Sequence, residues 1–238
     1  MHDKTQLKAE AKSVLDGLKG KTLSNKDRMA IPVQDMPCQE AAIRAGNMEE
    51  VAIGYSEEQA RVEAYRCLQC KNAPCISGCP VSIDIPGFLR LSAEGDFTGA
   101  ADVIRKTNLL PAICGRVCPQ EKQCQLVCTL GKALKSVDKA VQIGRVERYI
   151  ADRERTSGQS PIPEIAAPTG KRVAVVGAGP AGMTVAADVR REGHEVVIFE
   201  AFQKPGGVKV YGIPEFRLPK AIVSEEADKL RAMGVTFE

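Results

Sequence analysis

The sequence predicts an α-helical, cysteine-rich domain followed by the opening of a parallel α/β domain. Three observations carry this. Helical apolar spacing and two groups of four cysteines fill the first 155 residues, β-branched runs alternate with helical stretches after residue 170, and a Ser-, Pro- and Gly-rich stretch lies between. The boundaries read as 1–155, a linker or ordered crossing strap at 156–170, and 171–238.

Residues 1–20 place Leu7, Ala11, Val14, Leu15 and Leu18 on one helical stripe, which packs on its own domain or on another chain. Pro32 and Pro37 break regular structure within 21–55. Ser56-Glu57-Glu58-Gln59 is a capping box that opens a helix to about Leu68, delivering its end to Cys67 and Cys70. Short helices follow at 86–94 and 96–106, the second capped by Asp96. Another spans 139–153, with Val141, Val146, Tyr149 and Ile150 toward a core. The cysteine groups lie in loops between these helices. Beyond the strap, strands at 172–176, 195–199 and 235–237 alternate with a helix after the first and one at 219–233 that ends at Gly234. Strand character continues to Glu238, so the second domain reads as unfinished.

Composition narrows the function. Lys+Arg exceed Asp+Glu by 33 − 30 = 3, which argues against a dedicated nucleic-acid binder. With six Phe, four Tyr and no Trp, base-stacking platforms are disfavoured. No apolar run reaches the roughly 18 residues of a membrane span, and Met1-His2-Asp3-Lys4 precedes no apolar signal core. A cytoplasmic address follows, and there grouped cysteines bind metal or do redox work rather than pair as disulfides.

Eight of the nine cysteines form two arrays, Cys67-x2-Cys70-x4-Cys75-x3-Cys79-Pro80 and Cys114-x3-Cys118-Pro119-x4-Cys124-x3-Cys128, while Cys38 stands apart. Three close cysteines and a fourth followed by Pro is the form of iron–sulfur ligation, in which the fourth serves a different cluster. Structural zinc also uses four cysteines with short knuckles and stays open. Small residues such as Gly78 and Gly115 permit close backbone approach.

Arg172–Val176 runs into Gly177-Ala178-Gly179-Pro180-Ala181-Gly182, and Glu200 ends the next strand 18 residues past Gly182. Between strand and helix, this is the dinucleotide fingerprint. Gly177 permits the turn, Gly179 admits the pyrophosphate, and Gly182 lets helix and strand pack. The helix N-terminus favours phosphate charge, and Glu200 accepts from ribose hydroxyls. FAD and NAD share the motif, and residues 172–200 do not choose between them.

Seven segments together carry a resemblance: 50–55 (EVAIGY), 66–71 (RCLQCK), 79–81 (CPV), 114–120 (CGRVCPQ), 143–149 (IGRVERY), 177–182 and 212–220 (GIPEFRLPK). From about residue 30 onward the chain resembles the small (β) subunit of NADPH-dependent glutamate synthase. It is similar also to the large subunit of NADH-dependent ferredoxin:NADP oxidoreductase and to the N-terminal part of dihydropyrimidine dehydrogenase. The resemblance implies an α-helical iron–sulfur domain followed by an incomplete α/β Rossmann-like FAD-binding domain. It implies that Cys67, Cys70, Cys75 and Cys128 hold one 4Fe-4S cluster, and that Cys79, Cys118, Cys124 and Glu147 hold a second. Taken by itself, Glu147 reads as an exposed helix glutamate paired with a neighbouring Arg. Cys114 is left over near the clusters, and Cys38 is a plain thiol. Ala178 to Gly182 would contact the FAD pyrophosphate and Glu200 the ribose. Gly206, Gly207 and Val208 would line the cofactor, with Arg217 further along. No residue is expected to be a general acid or base.

The family continues with an NAD(P)H-binding domain, so NAD(P)H is expected to bind a region absent from these 238 residues. A fragment, or a second chain completing the FAD and NAD(P)H domains, would account for this. The expected partner is a glutamate synthase large subunit or a ferredoxin-linked flavoprotein. The rival expectations are a zinc-stabilised interaction module and a non-catalytic iron–sulfur assembly subunit lacking flavin.

Overall fold

A computed structural model describes residues 3–158 and 161–238; residues 1–2 of the expected first helix and 159–160 of the expected linker lie outside the described residues. The chain divides into two compact units, one of residues 1–47 and 51–158, the other of residues 48–50 and 159–238.

The first unit is helical. Helix α1 (Lys4–Leu18) begins where the Asp3 side chain accepts from the N–H of Gln6, 2.9 Å away. Its stripe buries Ala11 and Leu15 against Ile31 and Val62, so the helix packs on its own unit. Short helices α2 (Asn25–Ala30) and α3 (Ala41–Arg44) follow. The capping box at Ser56 is formed, with Ser56 and Gln59 exchanging side-chain-to-backbone hydrogen bonds, and it opens α4 (Glu57–Tyr65). Helix α4 stops three residues short of the sequence reading. Tight bonds from the Arg66 N–H to Glu63 and from the Cys67 N–H to Ala64 end it, because Arg66 turns wholly inward.

The first array then passes through one turn of helix, α5 (Pro74–Ser77), to α6 (Ile85–Glu94) and α7 (Phe97–Arg105). Asp96 caps α7 by accepting from the Gly99 N–H at 2.9 Å. The second array is not all loop. It opens on α8 (Pro111–Val117), where Pro111 sits at the first helical position, and closes at α9 (Thr129–Ala133). Helix α10 (Ile143–Ser157) starts four residues later than the periodicity predicts, since a 3-10 turn occupies Val137–Lys139. Val146 and Ile150 on α10 join Ile85, Phe88, Leu89, Phe97 and Ile104 in the core, and Cys67, Cys75, Cys124 and Cys128 lie in the same buried cluster.

The second unit holds a three-stranded parallel sheet in the order β1-β2-β3, with β1 at Arg172–Val176, β2 at Glu195–Phe199 and β3 at Thr236–Phe237. Arg172 pairs with Glu195 and Val176 with Phe199, which fixes the register. Helix α11 (Pro180–Arg191) crosses between β1 and β2, a short α12 (Val208–Tyr211) follows β2, and α13 (Lys220–Ala232) leads to β3. The segment before β1 is tied down, with the N–H groups of Ala166 and Thr169 donating to the carbonyls of Arg191 and Gly193. Met183, Ala186, Ile198, Leu218, Val223 and Leu230 fill the interior. Among the described residues no helix is long and apolar enough to cross a membrane.

Candidate metal and dinucleotide sites

Cys67 and Cys70 follow α4 and Cys75 lies within α5, while Cys128 sits at the start of α9, 53 positions on from Cys75. The fold nevertheless brings the four to one small cavity, with Leu68, Pro86, Leu130 and Val141 as apolar walls. Burial pushes the Cys67 thiol up to about 11, and the neighbouring Cys128 and Cys70 sulfurs add to this. Burial and the same group of sulfurs push Cys75 up to about 12. Thiols this reluctant to ionise in isolation become thiolates when iron replaces their protons, so loading such a site releases protons.

The second group gathers next to it. Cys124 is raised to about 12 by burial and then by the nearby Cys79, Glu147 and Cys75. Cys124 and Cys75 of the first group lie in the same buried cluster. Gly78 makes this possible: a Cβ there would stand 3.3 Å from the Cys124 Cα and 2.6 Å from a Val127 methyl. Cys118 ends α8, and its thiol is lowered to about 7 by a hydrogen bond from Cys114. Cys114 is raised by the same bond and by burial.

Glu147 is the residue that sequence reasoning places wrongly when taken alone. It is 5% exposed, not solvated, and among the described residues no ion pair joins it to an arginine. Its Oε1 accepts from Asn108 Nδ2 at 2.8 Å. Burial, then the Cys118 charge, raise its carboxyl to about 8. The cause of its burial is Gly115, where a Cβ would come within 2.7 Å of the Arg148 backbone nitrogen. Only glycine lets α8 lie this close on α10, and that contact encloses Glu147 beside Cys118. Asn108 had no signal in the sequence. Cys38 is half-buried and its thiol donates to the Met36 carbonyl at 3.4 Å, away from both groups.

The donor sets fit iron–sulfur clusters. Four soft sulfurs line the first cavity, and beside it Cys124 lies near Cys79 and Glu147, with Glu147 near Cys118. Among the described residues no three His, Cys, Asp or Glu side chains converge as the ligands of a single ion do.

In the second unit, Gly177 turns with φ at +92°, and the α11 N-terminus opens behind it at Pro180 and Ala181. A Cβ on Gly182 would collide with the Gly177 carbonyl. Nothing stands within 4 Å of the corresponding point on Gly179, which leaves its backbone approachable. Glu200 does more than wait for a ribose. It accepts from the Ala178 N–H at 2.7 Å and the Phe202 N–H at 3.0 Å, and these bonds hold its carboxyl below the usual range. Gly206 and Gly207 come to the same loop: the Gly206 N–H donates to the Ala178 carbonyl at 2.8 Å, and Gly207 backs on the Gly179 Cα. Val208 follows at the exposed start of α12. Arg217 lies on an exposed turn before α13, and among the described residues nothing ties its side chain to the loop.

Residues 44–159 match the family described as dihydropyrimidine dehydrogenase domain II, 4Fe-4S cluster, and residues 175–218 match the NAD(P)-binding Rossmann-like domain. The chain is 39% identical to the glutamate synthase (NADPH) small chain of Escherichia coli strain K12 over 204 residues, covering 86% of this chain and 42% of that one. It is 39% identical over 191 residues to the NAD-dependent dihydropyrimidine dehydrogenase subunit PreT of the same strain, covering 80% and 45%. The glutamate synthase (NADPH) small chain of Azospirillum brasilense is likewise 39% identical, over 201 residues. The chain therefore spans under half the length of these relatives. It carries an iron–sulfur domain followed by a Rossmann-like dinucleotide domain, and over 80–86% of its length it is similar to the glutamate synthase small chains and PreT subunits.

Proposed function

We propose that this chain is the FAD and iron–sulfur portion of an NAD(P)H-dependent oxidoreductase of glutamate synthase small-subunit type, passing electrons between flavin and a partner subunit. The helical domain, 1–155, holds two 4Fe-4S clusters. The region 171–238 contributes the first part of an FAD site, reached through the linker at 156–170. The observation that carries this reading is the cavity lined by Cys67, Cys70, Cys75 and Cys128, a set that draws on both arrays. Such an exchange of the last cysteine fits paired clusters. Two independent zinc knuckles would each use their own four.

In this reading Cys79, Cys118, Cys124 and Glu147 hold the second cluster, whose harder oxygen ligand sets it apart from the first. When bound, FAD supplies the conversion between two-electron hydride chemistry and the one-electron steps that the clusters carry. The chain's own work is to position and tune. Gly177, Ala178, Gly179, Pro180, Ala181 and Gly182 receive the pyrophosphate at the α11 N-terminus, Glu200 braces that loop and meets the ribose, and Gly206, Gly207, Val208 and Arg217 complete the cofactor contacts. NAD(P)H binds sequence outside these residues. The partner is a glutamate synthase large subunit or a ferredoxin-linked flavoprotein, and the setting is cytoplasmic.

Anaerobic purification followed by iron, acid-labile sulfide, zinc and nucleotide analysis tests this. About eight irons per chain and absorption near roughly 400 nm are expected for two cubanes. Zinc in place of iron overturns the cluster reading. NAD(P) instead of FAD as the nucleotide retained by the native complex overturns the flavin assignment.

A further inference from the structure

Cys67 and Cys70 are joined by a link of two residues, and one of the two is strained. Gln69 sits at φ +50°, one of three residues other than glycine with positive φ among the described residues. Left-handed backbone suits glycine and, after it, asparagine or aspartate, so nothing local favours glutamine there. A distant contact holds it instead. Gln69 Nε2 donates to the Pro86 carbonyl at 3.0 Å, 17 positions away, and a carbonyl that can only accept settles which end of the amide faces it. Pro86 is a fixed point. It lies in the first turn of α6, where Asp84 accepts from the Gly87 N–H at 3.0 Å, and Ile85 and Phe88 on either side are 2% and 0% exposed. Cys67, Leu68, Cys70 and Pro86 line the same cavity, so the bond ties the link between two cysteines to another wall of their own site. Among the described residues no carbonyl accepts from the N–H of Leu68, Gln69 or Cys70. Backbone that reverses hand gathers N–H groups into a concave nest for negative charge, a form that recurs at iron–sulfur sites.

We propose that Gln69 is a positioning residue of the first cluster: its bond to Pro86 holds the left-handed link between Cys67 and Cys70, which keeps both sulfurs on iron and the link's N–H groups toward the cluster. This rests on the cluster reading above. A cluster held by four thiolates is negatively charged, and more so when reduced. Donors near its sulfurs favour the reduced form and raise the potential. Without the bond the link relaxes to ordinary backbone, the donors turn aside and the two sulfurs part. Glycine differs from every other replacement, because it adopts the left-handed conformation with no side chain to hold it there. The role therefore predicts an order among variants that a packing contact does not.

The test uses the full chain, loaded anaerobically, with redox titration followed by electron paramagnetic resonance and the rate of iron loss to a chelator as readouts. Cys75→Ser marks which signal belongs to the first cluster. Gln69→Met keeps the length of the side chain and removes the donor. It is expected to shift that signal alone to lower potential and to speed iron loss from the first cluster about tenfold. Gln69→Gly is expected to fall between Gln69→Met and wild type on both readouts. An unchanged first signal in Gln69→Met overturns the proposal. So does a Gln69→Gly variant that does no better than Gln69→Met, since the side chain would then act as a packing contact and not by fixing the hand of the link. If Gln69→Met gathers no iron at the first site, Gln69→Gly still decides: recovery of that cluster supports the role, and its absence overturns it. Wild-type protein without iron or sulfide overturns the underlying cluster reading instead.

Discussion

Glu63 and Arg66, on and just after α4, form an ion pair at 2.5 Å with side chains 0% and 1% exposed. Replacing Glu63 by Gln leaves a buried guanidinium with no counter-charge. Breaking a buried pair in this way costs about 3–5 kcal/mol, against a total stability of about 5–15 kcal/mol for a typical domain. For a unit of this size that corresponds to a melting point lowered by roughly 6–20 °C. Swapping both partners for apolar residues often restores stability elsewhere, because no orphaned charge remains. Here it should not. The pair also satisfies the backbone. Glu63 accepts from the N–H groups of Gln34 and Gln142 at 2.8 and 2.9 Å, and Arg66 donates to the Ile31 carbonyl at 3.2 Å. Each of those three groups, left buried and unpaired, costs about 1–3 kcal/mol. The Ala140 carbonyl is less exposed to this loss, since Gln142 also donates to it. Thermal unfolding of the full chain, followed by far-ultraviolet circular dichroism at fixed cluster loading, reads the outcome. Glu63→Leu combined with Arg66→Met should melt no higher than Glu63→Gln alone. A double variant within about 1 kcal/mol of wild type would refute the idea that this pair is held for its backbone bonds.

Other substitutions test the sites. Cys128→Ser should halve the iron, from about eight to about four per chain, and remove the same spectral component as Cys75→Ser, although Cys128 belongs to the second array. Coincidence with Cys124→Ser instead would return Cys128 to its own array. Gly182→Ala drives a Cβ into the Gly177 carbonyl, so flavin nucleotide affinity measured by fluorescence titration should fall at least about tenfold, a loss of about 1.4 kcal/mol. Unaltered affinity would exclude this loop as the pyrophosphate site. Glu200 has its carboxyl held below the ordinary 4.5 by the Phe202 and Ala178 N–H groups. Its contribution is therefore complete above that value and disappears as pH falls through the lower, folded one. Glu200→Gln should flatten the acid side of the second unit's stability curve, read by denaturant titration across pH, and leave neutral behaviour nearly unchanged.

What the sequence disclosed was whatever local chemistry decides. The capping box at Ser56, the Asp96 cap, the β1 turn into Gly177–Gly182 and the positions of the strands all follow from neighbours within a few positions. Helix starts near the arrays did not, because Pro111 and the 3-10 turn at Val137–Lys139 reset them. The Glu63–Arg66 pair was equally silent. Spaced three apart on a helix, such a pair ordinarily reads as solvated, and its burial depends on segments 29 to 79 residues distant.

Glu147 shows why the rest was hidden. Between Arg145 and Arg148 on an arginine-rich helix, a glutamate has every local reason to face water. Its surroundings are decided at Gly115, a residue 32 positions earlier, whose missing side chain brings α8 onto α10 and encloses the carboxylate beside Cys118. The cost of burying that charge is offset in this structure by one bond from Asn108, and the carboxyl's rise to about 8 shows how incomplete that compensation is. A buried carboxyl beside Cys118 with one bond from Asn108 is the surrounding in which the proposed second cluster would find its oxygen ligand. The same contact explains why Gly115 matters although no metal touches it. A side chain there would push the helices apart, open Glu147 to water and undo the proposed fourth ligand without altering any proposed ligand residue. Gly115→Ala should therefore lose the second cluster's signal while the first cluster's four cysteines keep theirs, as iron analysis and paramagnetic resonance would read; loss of both clusters together would show that the two groups stand or fall as one.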